Sequence, residues 1–202
     1  MLATIYFTFI FINLILYLLK RDNIWFGVLS IIFISLFASG RRYDGSFISY
    51  DLRNYERVFY DPTSISSIGY KWLNQLGASV GLEFETFYAI VVVACICLIF
   101  YFIRKNDGNI HLCLVPYMIY FVIIDTIQIR NLIALTLLIF TIPFLLKIDV
   151  KSKAKYIIGI IASALFHKAF YLYLILYFVN PKKRNNIVKI IAADKTPVLI
   201  RV

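Results

Sequence analysis

The amino-acid sequence predicts an all-α polytopic membrane protein with about six to seven transmembrane helices and a helical extracytoplasmic loop. Apolar residues make up 61% of the 202-residue chain, above the roughly 45–50% of a soluble globular domain. Charged residues make up 16%, against about 25% in soluble domains. Five segments contain no Asp, Glu, Lys or Arg and a sixth contains only Lys168; the six segments are residues 1–19, 24–40, 86–103, 108–124, 131–146 and 156–181.

Segments of this length are sufficient for spanning helices, because about 17–25 apolar residues in helical form cross the hydrocarbon core. The composition therefore excludes a soluble enzyme, a nucleic-acid-binding domain and a disordered chain. The net charge of +10 does not indicate a nucleic-acid partner, since Lys and Arg cluster at the ends of the apolar segments, which is typical of cytoplasmic loops. The lipid bilayer is the expected partner. The three cysteines have no His or Cys at ligand spacing, so we expect no metal site and no cofactor.

The basic clusters predict the topology of a single membrane domain, residues 1–202. Lys20 and Arg21 follow the first apolar segment, so this segment is not a cleavable signal, and the N-terminus is expected outside. Residues 40–85 and the turn from 125 to 131 are then extracytoplasmic. The segment 156–181 can form one helix or two short helices that meet near His167. We favour the hairpin, because it returns the basic residues after Pro181 to the cytoplasm.

The extracytoplasmic loop, residues 40–85, is expected to contain two short interfacial helices. Asp51 precedes an apolar stripe at helical spacing and could cap that helix; the stripe consists of Leu52, Tyr55 and Phe59. A second stretch, residues 66–76, places Tyr70 and Trp72 at the level of the lipid headgroups.

Four groups of polar residues could carry chemistry, since ionisable groups in or beside spanning segments are costly and are often functional. Arg41 and Arg42 begin the exterior loop and could bind a diphosphate bidentately, or anchor the chain at the headgroups. Asp51 could act as a base or bind a sugar hydroxyl, with Asn54 and Tyr55 beside it, or serve only as the helix cap.

The other two groups lie in the turn at 125–131 and at the hairpin. Arg130 could face an anionic ligand or neutralise Asp125; Gln128 and Asn131 complete this group. His167 could be a catalytic base or a packing residue. All four groups are predicted on the exterior face, which supports a single site there.

The same residues form motifs that resemble the EpsG family of multi-spanning proteins, which is related to Wzy-type polysaccharide polymerases. An arginine segment is followed by an Asp-x-x-Asn-Tyr motif at residues 51–55. Later motifs are Gly-Tyr-x-x-Leu-Asn at 69–74, Ile-Arg-Asn-x-x-Ala at 129–134 and Ala-Leu-Phe-His at 164–167. The order and spacing of the motifs carry the resemblance over most of residues 30–180.

The resemblance implies polymerisation of polyprenyl-diphosphate-linked oligosaccharide units into exopolysaccharide or surface polysaccharide, at the outer face of the bacterial cytoplasmic membrane. Arg42 and Arg130 would hold the diphosphate, and His167 or Asp51 would activate the acceptor hydroxyl. Other membrane proteins of polysaccharide assembly are expected partners. Family members resemble longer chains, so the resemblance implies a C-terminal truncation at the basic tail, residues 181–202, and leaves open whether the shorter chain is active. The alternatives are a transporter or flippase component for lipid-linked sugars and a non-catalytic accessory subunit.

Overall fold

A computed structural model describes residues 2–39, 50–61, 67–106, 108–122, 127–147 and 149–178. Every regular element in these ranges is helical. The α-helices are α1 (Leu2–Leu18), α2 (Ile24–Ser39), α3 (Tyr50–Tyr60), α4 (Ile68–Ser79), α5 (Phe84–Lys105), α6 (Ile110–Pro116), α7 (Ile129–Leu145) and α8 (Val150–Phe166). A π-helical turn, Tyr117–Phe121, continues α6, and a 3₁₀ helix, Lys168–Phe178, follows α8.

One helix among the described residues, α5, is long and apolar enough by itself to cross a membrane. Its 22 residues correspond to about 33 Å at ~1.5 Å per residue. The other apolar helices have 10–17 residues. The helices otherwise follow the predicted apolar segments closely. Charged or turn residues flank each segment, and the helices end there.

Helices α1, α2 and α6 pack side by side, with α1 antiparallel to both neighbours. Tyr6 donates a hydrogen bond to the carbonyl of Met118, whereas Asn13 contacts His111 at the other end of α6. The Asn13 amide also donates to the Ser30 hydroxyl of α2, over 2.9 Å. Polar contacts of this kind hold membrane helices together at about 0.6 kcal/mol each.

The bundle has two ends, which differ in their charged residues. We call one the Arg104 end; it contains the α1–α2 turn, the C-terminus of α5 and the start of α6. Arg104 forms an ion pair with Asp22 there, so the basic segments 20–21 and 104–105 lie together, as the charge rule requires. The opposite end, the Arg130 end, contains α3, the first turns of α5 and α7, and His167.

Helices α7 and α8 form the closest helix pair, because glycine and other small residues line their interface. A β-carbon added at Gly159 would overlap the side chain of Thr141, and Ala134 and Ala164 are both buried. This agrees with the small-residue face expected around Gly159. Asp149 caps the N-terminus of α8, where its carboxylate accepts a hydrogen bond from the Ser152 N–H at 2.8 Å.

The 3₁₀ helix turns back along α8, so residues 150–178 form the hairpin that the charge argument favoured. The Tyr156 hydroxyl donates to the carbonyl of Tyr173 at 2.6 Å, and the Lys153 ammonium lies 5.8 Å from the ring centre of Tyr177. The second arm differs from expectation in being a 3₁₀ helix. Its ~2.0 Å rise per residue extends eleven residues to about 22 Å, longer than an α-helix of that length.

The described parts of residues 40–85 contain the two expected helices, with two corrections. Asp51 lies inside the first turn of α3, so it is not the cap; its carboxylate favours the helix through the positive end of the macrodipole. Tyr70 is fully buried, so its placement at the headgroups was wrong. The stripe of Leu52, Tyr55 and Phe59 lies on one helix as expected, and it is buried within the protein.

Candidate functional site

The candidate site is centred on Arg130, the second residue of α7. Its Nε–H donates a hydrogen bond to the Tyr55 hydroxyl at 3.3 Å, and its Cζ lies 5.3 Å from the centre of the Tyr55 ring. One tyrosine therefore positions the guanidinium in two ways, through a hydrogen bond to its hydroxyl group and through a cation–π contact with its ring. Its other four N–H groups have no partner among the described residues, so they can bind an anion.

Tyr55 is fixed in turn by the packing of α3 against α4. It is buried, and its ring lies edge-on to the ring of Tyr70 with 5.5 Å between centres. Gly69 brings α4 close to Phe166, the residue before His167. Tyr55 therefore connects the loop helices to Arg130, while Gly69 connects them to the hairpin apex.

His167 lies between α8 and the 3₁₀ helix. Its backbone N–H caps the C-terminus of α8, and its carbonyl accepts a hydrogen bond from the first turn of the 3₁₀ helix. Its N–H donates to the carbonyl of Ser163 at 3.1 Å, and its carbonyl accepts from the N–H of Phe170 at 3.0 Å. Burial lowers the pKa of His167, and the positive charge of Arg130 lowers that pKa further. The imidazole is therefore neutral near pH 7 and lies within electrostatic range of Arg130.

The imidazole also has a preferred tautomer. The N–H of Ala169 points at Nδ1 over 3.4 Å, a long contact that favours the tautomer with its proton on Nε2. In that tautomer the Nε2–H of His167 can donate a hydrogen bond to a ligand. This geometry favours a role for His167 as a hydrogen-bond donor over a role as a general base.

The structure brings some of the predicted residues to Arg130 and separates others. Tyr55 contacts Arg130, and Asp51 lies one helical turn before Tyr55. Asn54 lies on the exposed side of α3, where its carbonyl oxygen accepts a hydrogen bond from Arg57 at 2.7 Å. Gln128 caps α7 with its backbone carbonyl, to which the N–H groups of residues 131 and 132 donate. Arg41, Arg42 and Asp125 lie outside the described residues.

The family comparison decides the identity of the chain. Residues 24–193 match the EpsG family. The chain belongs to the EpsG family. No curated protein and no solved structure matches it. The matched range includes every predicted site residue, the loop helices and both arms of the hairpin, and membership makes this a polysaccharide-related membrane protein.

Two buried residues of α4 belong to the Gly-Tyr-x-x-Leu-Asn motif but were not predicted as site residues. Tyr70 positions Tyr55, and Asn74, one turn further along α4, is fully buried. Both amide atoms of Asn74 lack a hydrogen-bond partner within the described ranges. A buried unpaired amide costs about 1–3 kcal/mol. The sequence feature that could have identified Tyr70 and Asn74 is their helical spacing with Gly69 and Gly77, which lie on the same buried face of α4.

A groove of about 370 Å³ opens beside the EpsG-family site. It lies between the π-helical turn, the first turns of α7 and the 3₁₀ helix. Asn131 lines it next to Arg130, and its remaining walls are apolar or aromatic. Asn131 thus lies at the groove and follows Arg130 in the chain, and it takes no part in the contact between Arg130 and Tyr55.

Proposed function

We propose that this EpsG-family protein is a bacterial polysaccharide polymerase, which joins oligosaccharide units carried on a polyprenyl diphosphate. The supporting observation is Arg130. It is half-buried, it is oriented by Tyr55 through Nε alone, and no carboxylate pairs with it among the described residues. A guanidinium fork binds phosphate oxygens bidentately, so this arrangement suits a diphosphate.

The charge distribution supports an orientation with the Arg130 end outside the cytoplasmic membrane of a multi-pass chain. The Arg104 end carries the basic segments 20–21 and 104–105, and positive loops remain cytoplasmic. Helix α4 is compatible with a position at the membrane interface, because its outward face is an exposed apolar stripe; the stripe consists of Ile68, Trp72 and Leu76.

The proposed reaction is glycosyl transfer from the carrier lipid. The acceptor hydroxyl oxygen attacks the anomeric carbon of the donor sugar and forms the new glycosidic bond. The bond from that carbon to the diphosphate oxygen breaks, and the diphosphate leaves with the electron pair. Arg130 stabilises the negative charge that develops on this leaving group, the kind of electrostatic contribution that dominates many enzymes.

The acceptor proton requires a base, and Asp51 suits that role. A carboxylate is an acceptor when ionised, and Asp51 lies on the same face of α3 as Tyr55, one turn away. His167, neutral and with its proton on Nε2, would instead donate a hydrogen bond to the diphosphate or the bridging oxygen. The two candidate bases from the sequence thus take complementary roles.

Deletion of the chain from its host and re-expression tests the proposal. We expect lipid-linked single units to accumulate on the outer face after deletion, and with Arg130→Ala. Wild type and Arg104→Ala should restore long polymer. Accumulation of the units on the cytoplasmic face would contradict a polymerase and favour a transporter, and full restoration by Arg130→Ala would remove the role of Arg130.

A second experiment separates the roles of Asp51 and His167. Glutamine retains a donor and cannot act as a base, so we expect His167→Gln to retain more polymerisation activity than His167→Ala. Asp51→Asn should lose activity at every pH. If His167→Gln is as inactive as His167→Ala while Asp51→Asn remains active, then His167 is the base.

A further inference from the structure

The start of α8 lies at the Arg104 end of the bundle. The ring centres of Phe102 in α5 and Phe140 in α7 are 4.7 Å apart, and both residues lie near the C-terminus of their helix. Helix α7 therefore ends at the Arg104 end, and α8, which is antiparallel to it, begins there.

The Arg104 end carries an excess of positive charge. Its described segments contain eight Lys and Arg and two Asp; the segments are residues 20–22, 104–106, 147 and 149–155. Both carboxylates have partners within the chain, because Asp22 pairs with Arg104 and Asp149 accepts a hydrogen bond from the N–H of Ser152. The remaining cations can therefore attract an anion from outside the chain.

One exposed face of α8 joins these cations to an apolar surface. Lys151 and Lys155 are exposed, and Ile158 and Ile161 follow on the same face with relative exposures of 65% and 44%, since residues three or four apart share a face of an α-helix. The face thus begins with two cations and continues, one turn further, with two apolar side chains. A phospholipid has the same order, with a charged head at the interface and acyl chains in the hydrocarbon core.

The two lysines of this face have no carboxylate partner among the described residues. The Lys155 ammonium lies 5.4 Å from the ring centre of Phe144 in α7, so it stays beside the α7–α8 pair. Like charges four residues apart on a helix repel each other. An anion bound between Lys151 and Lys155 would remove this repulsion.

We propose that Lys151 and Lys155 bind the headgroup of an anionic phospholipid from the leaflet at the Arg104 end, with its acyl chains against Ile158 and Ile161. Basic clusters at the ends of membrane helices attract anionic lipids. A lipid fits this face better than an acidic protein does, because the lysines border side chains exposed to the hydrocarbon core, where lipid phosphates are the nearest anions. The inference goes beyond the proposed function and does not depend on it.

The test titrates dioleoyl phosphatidylglycerol or dioleoyl phosphatidylcholine onto the full chain in detergent micelles and measures bound lipid by native mass spectrometry. Wild type should bind phosphatidylglycerol more tightly, because phosphatidylcholine has no net charge. We expect Lys151→Gln/Lys155→Gln to weaken phosphatidylglycerol about 30-fold and to change phosphatidylcholine little. Lys151→Arg/Lys155→Arg should bind phosphatidylglycerol as wild type does, since guanidinium groups also bind phosphate.

The matched control is Lys20→Gln/Lys105→Gln, which removes two exposed lysines from the same end but from outside α8. It should bind phosphatidylglycerol as wild type does. Equal affinity of wild type for the two lipids, or equal losses in the two glutamine variants, would overturn the site and leave only a diffuse effect of surface charge.

Two competitors test the identity of the occupant. Neither a polyglutamate peptide nor inorganic phosphate should displace phosphatidylglycerol from wild type more than chloride does at equal ionic strength. Displacement by the peptide would assign the face to an acidic protein, and displacement by phosphate would assign it to a free anion. Either result would overturn the lipid assignment.

Discussion

Arg104 and Arg130 lie at opposite ends of the bundle and have different partners. Arg104 pairs with the carboxylate of Asp22, and the nearby buried polar groups bond one another across α1, α2 and α6. Arg130 has a tyrosine hydroxyl as its one partner among the described residues. The charge of Arg104 is therefore neutralised within the protein, whereas the charge of Arg130 remains available to a ligand.

This difference shows that an arginine beside an apolar helix does not by itself indicate function. What matters is whether the fold supplies a carboxylate. An exposed ion pair such as Asp22–Arg104 contributes about 0–1 kcal/mol, so its value lies mainly in holding two basic segments together at one end.

Replacing each arginine by lysine should have the largest effect and should separate the two ends. Lys at position 130 keeps the charge but loses the fork and the Nε bond to Tyr55, so we expect polymerisation by the purified chain to fall roughly 10–100-fold. Arg104→Lys should retain nearly full activity, because an ammonium also pairs with Asp22. Similar losses in both variants would contradict the distinction.

The polar cluster at the Arg104 end should be structural and replaceable. Asn13→Leu leaves the buried His111 without its 2.7 Å partner, so the free energy of unfolding should fall by about 1–3 kcal/mol. The double variant Asn13→Leu/His111→Leu should recover most of that loss and polymerise normally. Thermal unfolding in detergent measures the first effect; inactivity of a stable double variant would show that the cluster is functional.

The local pattern of apolar and charged residues was enough to predict the helices and the apolar stripe of α3. The charge-free segments predict α1, α2 and α5 because a helix in lipid satisfies its backbone internally, and the spacing of Leu52, Tyr55 and Phe59 marks the buried face of α3. The hairpin at His167 followed from charge. Each of these inferences uses residues that are close along the chain.

Contacts between distant residues could not be predicted from one sequence. Tyr55 and Arg130 are 75 positions apart, and Asn13 and His111 are 98 apart; no periodicity relates them. Tyr70 was misassigned because an amphipathic tyrosine suits either a headgroup or a core, and only the packing of α3 on α4 decides between them. The 3₁₀ form of residues 168–178 likewise depends on packing against α8.

Asn74 offers a smaller test of the Arg130 end, because it is a polar residue that costs stability. Both its amide atoms are buried and unpaired within the described ranges, so Asn74→Leu should raise the free energy of unfolding by about 1 kcal/mol. If Asn74 serves the site, the same variant should also polymerise more slowly. A fully active variant would show that Asn74 does not serve the site, and a less stable variant would show that its amide has a partner.

The smallest expected effect is a shift in the titration of His167. Burial and the charge of Arg130 both lower its pKa. Arg130→Gln removes only the charge, so the pKa should rise but stay below the ordinary value, and the ring should protonate at a higher pH than in wild type. Arg130→Lys keeps the charge and should leave the pKa low. The pH dependence of the His167 ring signals in NMR measures this, and an unchanged pKa in Arg130→Gln would mean that the two side chains are too far apart to act on one diphosphate.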